Sequence, residues 1–363
     1  MTVPFKMESP IGARMVIGGR EVDYYCGTSY FCLHGHPEVI EAACAATRQY
    51  GMGPGTLAHM QVYADLEDRL RQWFGTDEVV YMISGYTSPM VLLQGLREDF
   101  DLIFIDAATH YSTRDAIPTL GKPVHEFRHG DANDLAEQMA LHVGAGQRPA
   151  VLTDGVFPSS GRLAPLNDFR QAMAPYDGAL LCIDDSHGVG VLGGSGRGSL
   201  QHFGLEGDGN FLAGTMSKAF GALGGVVPGD AALAEKIKRN AMIMRGASPA
   251  PPGLAAAAAA SLRILQTTDR RARLARNVSQ MRSGLRGLGF EVADTPVPIV
   301  TIKGVTDLEL LRDRLAERDI IVRVQQPGGY SDASDVPSMR LAVFSEHSPD
   351  QIDRLLRSMA ELL

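Results

Sequence analysis

A single lysine stands among hydroxyls and glycines in Gly214-Thr215-Met216-Ser217-Lys218-Ala219-Phe220-Gly221, followed by Gly224-Gly225, at the end of an expected strand. A lysine in a tight, glycine-rich turn is partly desolvated, which lowers its pKa and frees the neutral amine for Schiff-base chemistry. Thr215 and Ser217 would donate hydrogen bonds to a phosphate, and the glycines would let backbone approach it. Taken alone, the segment is also compatible with a solvated lysine beside a turn.

Upstream, Asp184 and Asp185 close an apolar strand and lead into Ser186-His187-Gly188. Ligands of open α/β sheets bind at the carboxyl ends of the strands. A buried carboxylate there needs a cationic or hydrogen-bonding partner, and the protonated nitrogen of a pyridine ring would be one. A capped strand end is the alternative, and a metal held by Asp184, Asp185 and His187 is another. Two further strand ends carry candidates. Ser84-Gly85-Tyr86-Thr87 precedes a helix from Pro89, and a helix N-terminus with its free N–H groups suits a phosphate. Asp106-Ala107-Ala108-Thr109-His110 offers a flat imidazole that would stack on an aromatic cofactor or serve as a structural histidine.

The elements that must position these residues are legible as short apolar runs at 79–83, 102–105, 151–153, 179–183 and 211–213, separated by helix-length segments. Continuous apolar runs mark strands buried on both faces, so the expected architecture is α/β, a mostly parallel sheet covered by helices. After about Asp230 an Ala-rich helical stretch, 254–265, leads to an Arg-rich one, 269–288, and then to a smaller α/β domain. The expected division is an N-terminal segment 1–45, a large domain 46–235 and a small domain 236–363. Ser348, Pro349 and Gln351 signal the start of a last helix whose apolar stripe belongs to the core. Pro327, Gly328 and Gly329 break the pattern over 325–336, a plain surface loop or a flap over a site.

With 45% hydrophobic and 21% charged residues, the chain is a folded globular protein of enzyme size. Its formal charge of -8 has the wrong sign for neutralising phosphate backbones, which argues against nucleic-acid binding while leaving room for one basic pocket. Cys26, Cys32, Cys44 and Cys182 form no C-x-x-C pair, so reduced cytosolic thiols are expected. Residues 1–10 lack an apolar signal region and no apolar stretch is long enough to span a bilayer, which points to the cytoplasm and no membrane partner.

The order Ser-Gly-aromatic, D-x-x-x-H, D-D-x-H-G, T-x-S-K-x-x-G resembles the α-oxoamine synthase family, fold type I enzymes dependent on pyridoxal phosphate, from about Gly12 to the end. The resemblance implies that Lys218 forms the Schiff base with pyridoxal 5'-phosphate, Asp184 pairs with the pyridinium nitrogen, His110 stacks on the ring and His187 lies near the ring hydroxyl. It implies that Gly85, Tyr86, Thr215 and Ser217 surround the phosphate, with Ser248 reaching it from a partner subunit. Arg340 looks like the family's arginine for the amino-acid carboxylate, and the segment from Ser29 resembles the family's substrate-proximal [NS]-Y-L-G-L; no metal is implied. The implied reaction joins a small amino acid to an acyl thioester, with loss of carboxylate, in a homodimer whose sites lie at the subunit boundary.

Two departures leave the second substrate open. Leu57-Ala58-His59 and Tyr63 stand where the family carries S-G-T-x-x-x-H, and Pro158-Ser159-Ser160-Gly161-Arg162 replaces S-M-D-G-D. A thioester on coenzyme A, one on a carrier protein, or another pyridoxal phosphate reaction are all compatible. A noncatalytic subunit is the remaining class, and Lys218 argues against it.

Overall fold

The computed structural model describes residues 6–53, 60–207 and 209–363, so 57–59 lie outside the described residues. An antiparallel hairpin, β1 (Arg14–Ile17) and β2 (Arg20–Tyr24), begins the described fold. The central sheet follows: β3 (Glu78–Met82), β4 (Leu102–Asp106), β5 (Val124–Phe127), β6 (Pro149–Asp154), β7 (Leu180–Asp184), β8 (Asn210–Thr215) and β9 (Gly225–Gly229). Their order across the sheet is β3-β9-β8-β7-β6-β4-β5, and β9 alone among these seven runs antiparallel to its neighbours. Six strands, β3, β4, β5, β6, β7 and β8, therefore end on the same edge.

Every residue of β4, β6 and β7 is buried. Successive side chains on a strand point to opposite faces, so a sheet covered on both sides needs apolar residues at both parities. Phe104, Val151 and Leu181 accordingly pack into one core, while Ile103, Ile105, Leu152 and Cys182 pack into the other. The expected apolar runs fall on β3, β4, β6, β7 and β8. β5 and β9 escape that reading for physical reasons. β5 is a half-exposed edge strand, and β9 carries Pro228 between glycines, residues that strands usually avoid.

The C-terminal part builds an antiparallel sheet from β10 (Ile299–Ile302), a two-residue strand β11 (Ile320–Ile321) that leaves it, and then β12 (Arg323–Gln325) and β13 (Ser338–Ala342). β11 instead pairs in parallel with β2, so the N-terminal hairpin is tied to the C-terminal part of the chain. The Ala-rich stretch forms the helix Pro252–Thr267, and Ala255, Ala257 and Ala258 are buried where it packs against the helices Pro37–Tyr50 and Gln61–Phe74. Small side chains allow that close approach.

The helix Pro349–Leu362 starts with a full capping box: Ser348 accepts from the Gln351 backbone N–H, and the Gln351 side chain accepts from the Ser348 backbone N–H. Two otherwise orphaned donors are satisfied at once. Replacing Ser348 by Ala is expected to destabilise the fold by about 1 kcal/mol, measured as a lowered melting temperature.

Candidate active site

The common edge of β3, β4, β6, β7 and β8 gathers the sequence-predicted residues because each follows the end of its strand. A cavity of about 240 Å³ opens there, and Lys218, Asp184, His187, His110, Gly85, Tyr86, Thr215 and Ser217 all line it. Burial pushes the Lys218 amine down to about 8, with Asp184 and Asp154 opposing the shift and Arg340 adding to it. About a tenth of this amine is therefore neutral at pH 7, far more than at its ordinary value of about 10.5.

Strand alternation separates the two neighbouring aspartates. Asp184 faces the cavity, its Oδ2 accepting from Ser112 Oγ at 2.8 Å and its Oδ1 from the Ser186 backbone N–H at 3.0 Å. Asp185 holds Ser199 through both carboxylate oxygens and does not line the cavity. A Cβ added at Gly198, whose φ is +109°, would lie 1.9 Å from Asp185 Oδ2, so this carboxylate is packed against bare backbone. Burial raises Asp185 to about 7. The two acids thus serve different structures, and among the described residues no group of three potential ligands forms a metal site.

His110 caps the short helix Tyr111–Ala116 and sits at the cavity wall. Its Nδ1 lies 2.7 Å from Ser112 Oγ and its Nε2 lies 2.6 Å from Tyr330 Oη. Burial holds the imidazole below its ordinary pKa. His187 is buried with Nδ1 2.6 Å from Tyr30 Oη, and burial pushes it well below its ordinary value, so it is neutral.

Gly85 opens the turn after β3, and a Cβ there would fall 2.2 Å from Thr215 Oγ1. That contact brings the N-terminus of the helix Ser88–Gly95 against the loop that carries Lys218. Thr215 Oγ1 accepts from the Ser217 backbone N–H at 3.1 Å and lies 2.8 Å from Ser217 Oγ. The result is a small cradle of hydroxyls and N–H groups beside the buried amine.

Three predicted residues lie elsewhere. Ser29 is buried behind the cavity, bonded at 2.6 Å to His34 Nδ1, and His34 Nε2 in turn donates to the Ser217 carbonyl at 3.0 Å. Ser248 is exposed and does not line the cavity. Arg340, on β13, is 5% exposed; its Nε donates to the Pro158 carbonyl at 2.8 Å and its Nη1 to the Gly27 carbonyl at 3.3 Å.

Sequence reasoning missed Asp154, Ser112 and Tyr330, and placed Tyr30 only within the segment from Ser29, without its contact to His187. Asp154 ends β6 as Asp184 ends β7, so the rule that singled out Asp184 applied to it equally. Burial and the neighbouring Asp184 raise Asp154 well above the usual carboxylate range, while its Oδ1 accepts from the His110 backbone N–H at 3.1 Å. Tyr330 lies in the stretch 325–336 read from sequence as a surface loop or a flap over a site, but no local pattern marks the tyrosine itself.

That loop, 326–337, joins β12 to β13 and separates the cavity from a second cleft of about 780 Å³; Tyr330 lines both. Pro158-Ser159-Ser160-Gly161-Arg162 anchors it. Ser159 Oγ donates to the Ser331 carbonyl at 2.7 Å and the Ser160 N–H donates to Asp332 Oδ2 at 3.0 Å. His129 bridges Asp106 Oδ1, 3.0 Å from Nδ1, and Asp332 Oδ1, 3.2 Å from Nε2. Burial works against its charge, but the hydrogen bonds and charges of the two aspartates outweigh burial and raise it to about 9.

A desolvated lysine, an inward carboxylate on the adjacent strand, an imidazole at the cavity wall and a hydroxyl cradle fit pyridoxal phosphate, and on this sheet they define a fold type I transferase site. Residues 29–359 match the family model of aminotransferase class I and II. The chain is 33% identical to 8-amino-7-oxononanoate synthase of Nitrosococcus oceani, over 98% of this chain and 96% of that protein. It shares 26% identity and a TM-score of 0.88 with a Sphingomonas wittichii serine palmitoyltransferase structure, over 98% of this chain and 91% of that one. A serine palmitoyltransferase structure with PLP matches at a TM-score of 0.88 and 25% identity, over 99% and 92%. The chain belongs to the aminotransferase class I and II family and, within it, to the α-oxoamine synthases.

Two outcomes follow from this geometry. Gly85→Ala drives a Cβ into Thr215 and is expected to cost about 1 to 3 kcal/mol of stability in urea unfolding. For His129, the folded pKa lies above the unfolded value of about 6.5, so its ion pairs stabilise fully below that pH and their contribution is lost as pH rises through about 9. The melting-temperature deficit of His129→Gln should accordingly be larger at pH 6 than above pH 9.

Proposed function

We propose that this protein condenses a small amino acid with an acyl thioester, forming a carbon–carbon bond at the α-carbon and releasing the thiol and carbon dioxide to leave an α-amino ketone. The observation that carries the reading is the buried Lys218 amine, near pKa 8, in one cavity with the inward Asp184. Pyridoxal phosphate, when bound, supplies the electron sink that stabilises negative charge at the α-carbon.

The chain's own residues hold and steer. Asp184, held by Ser112 and Ser186, would keep the cofactor's ring nitrogen protonated; His110 would cover the ring, and neutral His187 would face the ring hydroxyl. Gly85, Tyr86, Thr215 and Ser217 would hold the phosphate, and Ser248 would reach it from the other subunit of a homodimer. Ser29 acts through His34 on the Ser217 carbonyl, and so sets the cradle from behind. Arg340 takes the amino-acid carboxylate; the Pro158 and Gly27 carbonyls fix the plane of its guanidinium, which favours a bidentate pair. The Lys218 amine, buried in the cavity, would take and return the α-carbon proton, a general-base role worth roughly 100- to 10,000-fold. In the altered segment Ser159, Ser160 and Arg162 line the outer cleft, on the side proposed for the electrophile, while Pro158 lines the inner cavity. Among the described residues no helix is long and apolar enough to cross a membrane, in keeping with a cytoplasmic enzyme.

The test uses the purified protein reconstituted with pyridoxal phosphate and reduced with borohydride. The wild-type chain should gain the mass of one pyridoxyl group at Lys218, and Lys218→Ala should gain none. With an amino acid and an acyl thioester, thiol release should be readily measured in the wild type and fall at least about 100-fold in Lys218→Ala. Pyridoxyl labelling without thiol release from any coenzyme A or carrier-protein thioester would redirect the assignment to another reaction on the same scaffold.

A further inference from the structure

One arrangement of the hydrogen bonds around His110 gives a proton to both short contacts of Ser112 Oγ, at the expense of the longer Ser112 N–H contact to Nδ1 at 3.2 Å. A serine hydroxyl has one proton to donate. Ser112 Oγ donates it to Asp184 Oδ2 at 2.8 Å, so the hydroxyl must accept across the 2.7 Å contact with His110 Nδ1. Nδ1 therefore carries the imidazole proton. Burial keeps the ring neutral, which leaves Nε2 a bare acceptor, and Tyr330 Oη, 2.6 Å away, must donate to it. The protons line up as Tyr330 to His110 to Ser112 to Asp184.

We propose that Tyr330 is a positioning residue that sets the state of Asp184 through this chain, and so couples the placement of loop 326–337 to the electronics of the cofactor's ring nitrogen. The inference rests on pyridoxal phosphate occupying the inner cavity and is independent of which electrophile reacts. Without the Tyr330 donor, the bond that holds Nε2 as an acceptor is gone, and the tautomer with its proton on Nε2 gains population. Nδ1 then turns acceptor, as the Ser112 backbone N–H at 3.2 Å already permits, and Ser112 Oγ turns toward Nδ1 and away from Asp184. Asp184 loses a donor and becomes the more basic partner.

The loop is held where the chain needs it. Tyr330 lies between Gly328-Gly329 and the two tethered residues Ser331 and Asp332; Ser159 holds the first, and Ser160 with His129 holds the second. His129 is itself anchored to Asp106 at the end of β4, so the loop is fastened to the same sheet edge that presents the site. The Tyr330 ring packs near those of both His110 and Tyr111, with centroids 5.4 and 5.7 Å away. The charged and titratable groups facing His110 and Asp184 are Lys218 after β8, Asp154 ending β6, Asp115 on the helix Tyr111–Ala116, His187 after β7 and Tyr330 itself; Arg340 on β13 bears on Lys218, His187 and Tyr330.

The experiment is a pH titration of the visible cofactor band in the reconstituted holoenzyme, in which Tyr330→Phe keeps the ring and removes only the hydroxyl. The midpoint should rise by about 0.5 unit or more in Tyr330→Phe, because a more negative Asp184 favours the protonated forms of the cofactor. Ser112→Ala should shift it in the same direction. In a relay the two substitutions interrupt one path, so the double variant should shift no further than the larger single one. Asp332→Asn, with Tyr330 intact but the tether weakened, should give a smaller shift of the same sign. With the amino-acid substrate, Tyr330→Phe should lower kcat several-fold and leave KM nearly unchanged, the mark of an interaction that matters after binding. An unmoved midpoint in Tyr330→Phe, or additive shifts in the double variant, would overturn the relay. The titration needs no thioester, so failure of thiol release would count against the condensation alone, and a wild-type protein with no cofactor band would overturn both.

Discussion

Burying one amine beside two carboxylates organises this protein. Lys218 is desolvated to a pKa of about 8, yet it keeps Asp184 and Asp154 within electrostatic reach. Desolvation alone would push the amine lower and leave it a poor proton carrier; the carboxylates alone would hold it charged and unreactive. The balance requires a dry sheet edge that brings three strand ends together, and much of the fold can be read as the means of making one.

A doubly covered parallel sheet makes such an edge. β4, β6, β7 and β8 bury side chains on both faces, so polar residues collect where the strands stop. Asp106, Asp154, Asp184 and Thr215 are the last residues of their strands, and each has a different task. Asp106 anchors His129, Asp154 holds the His110 backbone, Asp184 points into the cavity and Thr215 meets Gly85. One residue further on, alternation turns Asp185 to the opposite face, where it secures Ser199.

The C-terminal part completes the edge from outside. β13 brings Arg340 against the Pro158 and Gly27 carbonyls, and the loop before it brings Tyr330 onto His110. The same Pro158–Arg162 segment that departs from the family pattern fastens that loop through Ser159 and Ser160. A change in sequence at the outer cleft is therefore mechanically continuous with the inner cavity, and the two meet at one tyrosine.

Local chemistry determined a good deal by itself. The doubly apolar runs, the lysine among hydroxyls and glycines, the acid pair at a strand end and the capping box at Ser348 each express a physical requirement confined to a few residues, so each is legible without a fold. β5 and β9 were less legible because edge exposure and Pro228 hide their strand character. Asp154 obeys the same strand-end rule as Asp184. What only the tertiary structure decided depends on residues far apart in the chain. Examples are Asp184 facing inward while Asp185 faces Ser199, Ser29 acting through His34, the two carbonyls fixing Arg340, and Tyr330 crossing 220 positions to reach His110. No local pattern encodes such contacts, because their partners are set by the packing of one part of the chain against another.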